Sequence, residues 1–118
     1  MYVQGFVIPV KEGDKPAYCK VAQQAGDIFR DYGCIEIVES WEADVKDGNL
    51  TDFRKAVNAQ AGEMIVFSWA IWPDRETCDK AAAQMEADER MALFEEMPFD
   101  GNRMIYGGFA PIFTMGRN

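Results

Sequence analysis

Met64-Ile-Val-Phe-Ser-Trp-Ala-Ile-Trp72 is a nine-residue apolar run interrupted only by Ser68. It is far shorter than the ~20 residues that cross a bilayer. Its β-branched and aromatic residues mark it as a strand. Ala61-Gly62-Glu63 turns the chain into it and Pro73-Asp74 ends it. A strand in a sheet covered on one side alternates apolar and polar residues. This one does not: Ile65, Phe67, Trp69 and Ile71 share one face, and Met64, Val66, Ala70 and Trp72 share the other. Both faces of the sheet at this strand must therefore be covered.

The neighbouring segments supply the rest of the sheet. Residues 2–10 form a first strand that Pro9 ends or places at an edge. Asp14 is placed to cap the following helix, with Pro16 in its first turn. The helix stripe is Tyr18, Val21, Ala22, Ala25, Ile28, Phe29 and Tyr32, and Gly33 sits where a left-handed cap stops it. Residues 34–42 form a second strand, with Ile35, Ile37, Glu39 and Trp41 on one face. Residues 43–52 are irregular, and residues 53–59 read equally as an extended piece or a helical turn. After the quoted strand, Asp74 caps a second helix with a stripe of Cys78, Ala81, Ala82 and Met85. A short helical turn at 91–97 and a fourth strand at 103–113 complete the order β-α-β-β-α-β.

The expectation is an α+β, ferredoxin-like fold: a four-stranded antiparallel sheet with two helices on one face, in a single domain spanning residues 1–118. Right-handed crossovers put both helices on the same side. The opposite face is apolar and has no third helical layer to hide it. A second copy of the chain is the simplest cover, so the chain is expected to be a homodimer.

Charge and residue counts exclude several function classes. The net charge is −8, with twelve basic residues scattered among twenty acidic ones. Neutralising phosphates needs clustered Lys and Arg, so no nucleic-acid partner is expected, and no membrane partner either. Histidine is absent. That removes Ser-His-Asp and Cys-His catalysis, His-ligated zinc and His-ligated haem. Cys19, Cys34 and Cys78 are isolated, which fits neither a disulfide framework nor a C-x-x-C pair. The acidic stretch Glu42, Asp44, Asp47 and Asp52 lacks the ligand alternation of a calcium loop. No metal and no cofactor are expected. The opening Met1-Tyr-Val-Gln-Gly-Phe has no signal-peptide pattern, and the expected location is cytoplasmic.

The segments Tyr2-Val-Gln-Gly-Phe-Val7, Val38-Glu-Ser-Trp41, Val66-Phe-Ser-Trp-Ala-Ile-Trp-Pro73 and Met97-Pro-Phe-Asp-Gly-Asn-Arg-Met-Ile-Tyr-Gly-Gly-Phe109 run from end to end of the chain. They resemble the YbaA-like family of small bacterial proteins. The family is similar to the dimeric α/β-barrel superfamily, whose ferredoxin-like subunits pair sheet against sheet. The resemblance implies the fold and leaves the activity open.

Candidate chemistry lies where polar groups interrupt apolar strands, because burying them costs free energy unless they have partners. Glu39 shares its face with Ile35, Ile37 and Trp41 and would act as a general base, its pKa raised by burial. Arg103 would hold an anionic or carbonyl group, and Tyr106 would donate a hydrogen bond. Trp41 and Trp69 would stack on a flat substrate, with Ser68 and Asp100 as further substrate contacts. The same residues have plainer readings: Asp100-Gly101 as a turn, Arg103 as its ion-pair partner, and the tryptophans as core or interface. The expected partner is a small aromatic or carbonyl-bearing molecule, transformed by acid–base or cofactor-free oxygen chemistry. The alternative is a non-catalytic sensing or protein-interaction module whose barrel is packed solid.

Overall fold

The computed structural model describes residues 1–116. The strands are β1 (Tyr2–Lys11), β2 (Glu36–Trp41), β3 (Glu63–Trp72) and β4 (Ile105–Phe109). They form one sheet in the order β2-β3-β1-β4, and every neighbouring pair is antiparallel. The helices are α1 (Lys15–Asp31), the single turn α2 (Phe53–Ala56) and α3 (Arg75–Met85). Short 3-10 turns occupy Glu12–Asp14, Glu89–Glu95 and Gly101–Arg103. This is the α+β, ferredoxin-like fold expected from the sequence.

Register decides what lies beneath the helices. Phe6 faces Ser68, and Glu39 faces Ser68 from the other side, so one row crosses the sheet from β1 to β2. At one end of this covered face Ile28, Ala70, Trp72, Cys78, Ala81 and Met85 form a buried cluster. Trp72 packs against Phe29 at 5.8 Å between ring centroids and donates its indole N–H to Gln4 Oε1 at 2.8 Å. Ile8, Val10, Tyr18 and Val66 form the second cluster.

Several local expectations are corrected. Asp14 gives no side-chain cap, because the chain enters α1 through the Glu12–Asp14 turn. Asp74 does cap α3, accepting from the Thr77 amide at 2.7 Å. Ala82 points to solvent, and Cys78, Ala81 and Met85 carry the buried stripe. The fourth strand is shorter than its apolar content suggests, because Arg103 lies in a 3-10 turn capped by Asp100. Cys19 is exposed, whereas Cys34 and Cys78 are buried.

Two glycines mark opposite situations. Gly33 ends α1 at φ +106°, where an added Cβ would also stand 2.9 Å from Thr77 Cγ2, so it cannot be replaced cheaply. Gly26 lies inside α1 with no atom within 4 Å of where a Cβ would stand. Gly26→Ala should therefore raise stability by about 1 kcal/mol, the helix-propensity difference, as measured by urea denaturation.

Candidate functional site

Tyr18, on the inner face of α1, places its hydroxyl 2.7 Å from Glu39 Oε1 on β2 and donates to it. The Ser68 hydroxyl, opposite Glu39 in register, donates to the same carboxylate. Both hydroxyl residues are buried, at 6% and 3% exposure. Glu39 itself is reached by solvent, because β2 is an edge strand. The burial expected of Glu39 is therefore incomplete. Protein atoms still crowd the group closely enough that desolvation pushes its pKa above the ordinary glutamate value, against the lowering effect of the two hydrogen bonds. The Tyr18 phenol is pushed far above its ordinary value, first by burial and then by the Glu39 charge, so it remains a donor at neutral pH.

Two cavities meet at Glu39. An apolar chamber of about 170 Å³ lies between α1, the sheet and the 94–104 segment, with Phe6, Ile8, Phe29, Phe99 and Met104 among its walls. A more open groove of about 370 Å³ runs between α1 and β2 past Lys15, Gln23, Ser40 and Trp41. Tyr18, Ala22, Ile37 and Glu39 line both. A molecule with its apolar part in the chamber would bring a polar atom to Glu39 within reach of water. The arrangement suits proton transfer to or from a substrate held on an apolar surface.

Arg103, Asp100 and Tyr106 lie outside both cavities. Arg103 forks onto buried Glu63, at 2.6 and 2.7 Å, and also bonds Asp100 and the Asn58 carbonyl. The fork holds the Glu63 pKa down at about 2 against the effect of burial. Asp100 caps its own turn by accepting from the Asn102 amide. Arg103 and Asp100 thus anchor the segment that carries Phe99 and Met104 and do not line the chamber. Tyr106 stacks on Phe6 at 6.3 Å but is largely exposed. Trp69 donates its indole N–H to Glu36 Oε2 at 3.1 Å and borders the chamber, whereas Trp41 borders the groove, so the two do not sandwich one ligand. Trp41 lies under Lys15 Nζ, 5.3 Å from the ring centroid. Of the seven candidates, Glu39, Ser68, Trp69 and Trp41 border one or both of the two cavities. Tyr18 and Lys15 were missed because a helix stripe shows which residues face inward, not which strand residue each one meets.

The acidic loop has a structural use. Asp52 accepts from the Gly48 and Lys55 amides, at 3.0 and 2.7 Å, which caps α2 and lowers its pKa to about 2. Among the described residues no group of three or more His, Cys, Asp or Glu side chains is placed to hold a metal ion. No helix among them is long and apolar enough to cross a membrane.

Comparison with known proteins agrees with the fold and places the chain in a family. It is 50% identical over 112 residues to the uncharacterized protein YbaA of Escherichia coli K12, covering 94% of this chain and 96% of that one. The Shigella flexneri YbaA protein matches equally. Among solved structures, SnoaB, a cofactor-independent oxygenase from Streptomyces nogalater, superposes with a TM-score of 0.55 at 16% identity, over 98% of both chains. The Arabidopsis thaliana protein At3g17210 gives a TM-score of 0.60 at 14% identity, over 98% of this chain and 99% of that one. At such identities the likeness is one of fold. The model of the family described as a protein of unknown function, DUF1428, matches residues 1–101, and the chain belongs to that family.

Proposed function

We propose that the chain works as a homodimer in which each subunit binds a small molecule in the chamber, with Glu39 exchanging a proton with it. The observation that carries this reading is the accessible Glu39 carboxylate at the mouth of an apolar chamber, with two buried hydroxyls directed at it. Tyr18 and Ser68 fix the carboxylate's orientation, and the chamber favours a flat apolar body. A hydrogen activated by a neighbouring carbonyl, or a phenolic O–H, is the natural target of a carboxylate with a raised pKa. Proton removal of this kind is also a first step toward reaction with oxygen. SnoaB, which shares the fold, is a cofactor-independent oxygenase. The rival reading of a solidly packed interaction module is disfavoured by the chamber itself.

The dimer is supported by the sheet face opposite α1. There Phe67, Ile105 and Phe109 are 44, 45 and 61% exposed and border one apolar groove with Val3, Val7 and Trp69. Contiguous exposed aromatic surface of this kind marks an interaction site.

Two measurements test the reading. Native mass spectrometry of the purified protein should show a dimer carrying a bound small molecule, and Glu39→Gln should slow any turnover of that molecule by about 100-fold or more. Undiminished turnover in Glu39→Gln would end the assignment. Carbon-13 NMR of labelled glutamates should show Glu39 titrating above the ordinary glutamate value. Tyr18→Phe should move it higher still, because the lost hydrogen bond stabilises the ionised form. A raised carboxyl pKa favours folding at low pH, and that contribution is lost as pH rises through the folded value. Glu39→Gln should therefore melt no lower than the wild type at pH 8.

A further inference from the structure

The groove that adjoins the chamber has a charge pattern the chamber lacks. Lys15 is the sole cation among its lining residues and Glu39 the sole carboxylate. The Lys15 ammonium lies over the face of Trp41, and among the described residues it makes no ion pair. A cation–π contact engages one side of the ammonium and leaves its other hydrogens to meet an anion. On a chain of net charge −8, a cation without an ion pair at a cavity mouth gives an anion a local point of attraction.

The chamber sets the other end of the ligand. Its volume of about 170 Å³ is close to the roughly 150 Å³ apolar cavity that accepts benzene. It therefore suits one six-membered ring and not a fused polycycle. The two ends meet at Glu39, which lines both spaces.

Building on the chamber reading above, we propose that the ligand is a single-ring aryl-alkyl carboxylate. Its ring occupies the chamber, and its carboxylate is held by Lys15 above Trp41. The short chain between ring and carboxylate then crosses the junction beside Glu39, which puts the carbons next to the carboxylate where a base is needed. Lys15 becomes the residue that distinguishes acids from the corresponding neutral molecules.

Isothermal titration at low ionic strength, where an exposed ion pair is least screened, compares 3-phenylpropanoate with 3-phenylpropan-1-ol. The wild type should prefer the carboxylate by about fivefold, the upper range for one exposed pair. Lys15→Met should erase that preference without weakening the alcohol, and Lys15→Arg should retain it. Lys15 is exposed on the first turn of α1, and unchanged melting of each variant confirms that the fold is intact. Equal binding of both compounds to the wild type would overturn the assignment of Lys15 and leave the chamber reading standing. A preference that survives Lys15→Met would also overturn it, since the anion must then sit elsewhere. If neither compound binds, the chamber reading falls and this inference falls with it.

Discussion

Replacing Arg103 by methionine should lower the thermal midpoint by about 10 °C. Its partner Glu63 is only 4% exposed at the start of β3. The two Glu63 oxygens accept from the two terminal nitrogens of Arg103, and the Gln60 amide adds a third bond at 2.6 Å. Removing the guanidinium leaves a buried carboxylate without its counter-charge. That is far costlier than losing the pair as a unit. The double variant E63Q/R103M should therefore recover much of the loss.

The pH dependence carries a sign that can be checked. The pKa of folded Glu63 is about 2, below that of an ordinary glutamate, first because of the Arg103 hydrogen bonds. A depressed carboxylate contributes its stability above the unfolded value and loses it as pH falls through the folded one. Calorimetric midpoints of the wild type should decline from about pH 5 towards pH 2. Those of Arg103→Met should be flatter there, since a buried unpaired Glu63 gains from protonation. The Arg103 clamp also anchors Phe99 and Met104 on the chamber wall, so the variant should bind chamber ligands more weakly. A midpoint within about 2 °C of wild type would show the clamp to be dispensable and would return Arg103 to the role of a ligand-holding residue.

Phe67→Ala should weaken self-association by about 1,000-fold, as read by sedimentation equilibrium. Phe67 is 44% exposed at the middle of the free sheet face and is steadied by Phe53 and Trp69, at centroid distances of 5.8 and 5.9 Å. A central aromatic anchor is worth about 2 kcal/mol or more to an interface. In a two-fold dimer each substitution counts twice, giving about 4 kcal/mol, or three powers of ten in the dissociation constant. A protein that is monomeric before the substitution would remove the basis for the dimer. A dimer unaffected by it would move the interface to another surface.

The element order, the two-faced third strand and Gly33 as the end of α1 were all legible in the sequence. They depend on local backbone preference and on side-chain periodicity, which act over a few residues. Glu39 stood out for the same reason: a carboxylate on the apolar side of a strand breaks a period of two. Arg103, Asp100 and Trp69 stood out equally, and their partners explain them. Arg103 meets Glu63 across forty positions, and Trp69 meets Glu36 across thirty-three. No short-range pattern contains either pairing.

The division follows from range. Strand and helix signals, the absence of histidine and the excess of negative charge belong to the chain before it folds. They set the fold class and exclude whole families of chemistry. The meeting of Tyr18 with Glu39, the joining of chamber and groove at that carboxylate, and the placing of Lys15 over Trp41 arise only when α1 settles on the sheet. A helix stripe leaves rotation and axial position free within a residue or two, and packing against β1, β2 and β3 removes that freedom.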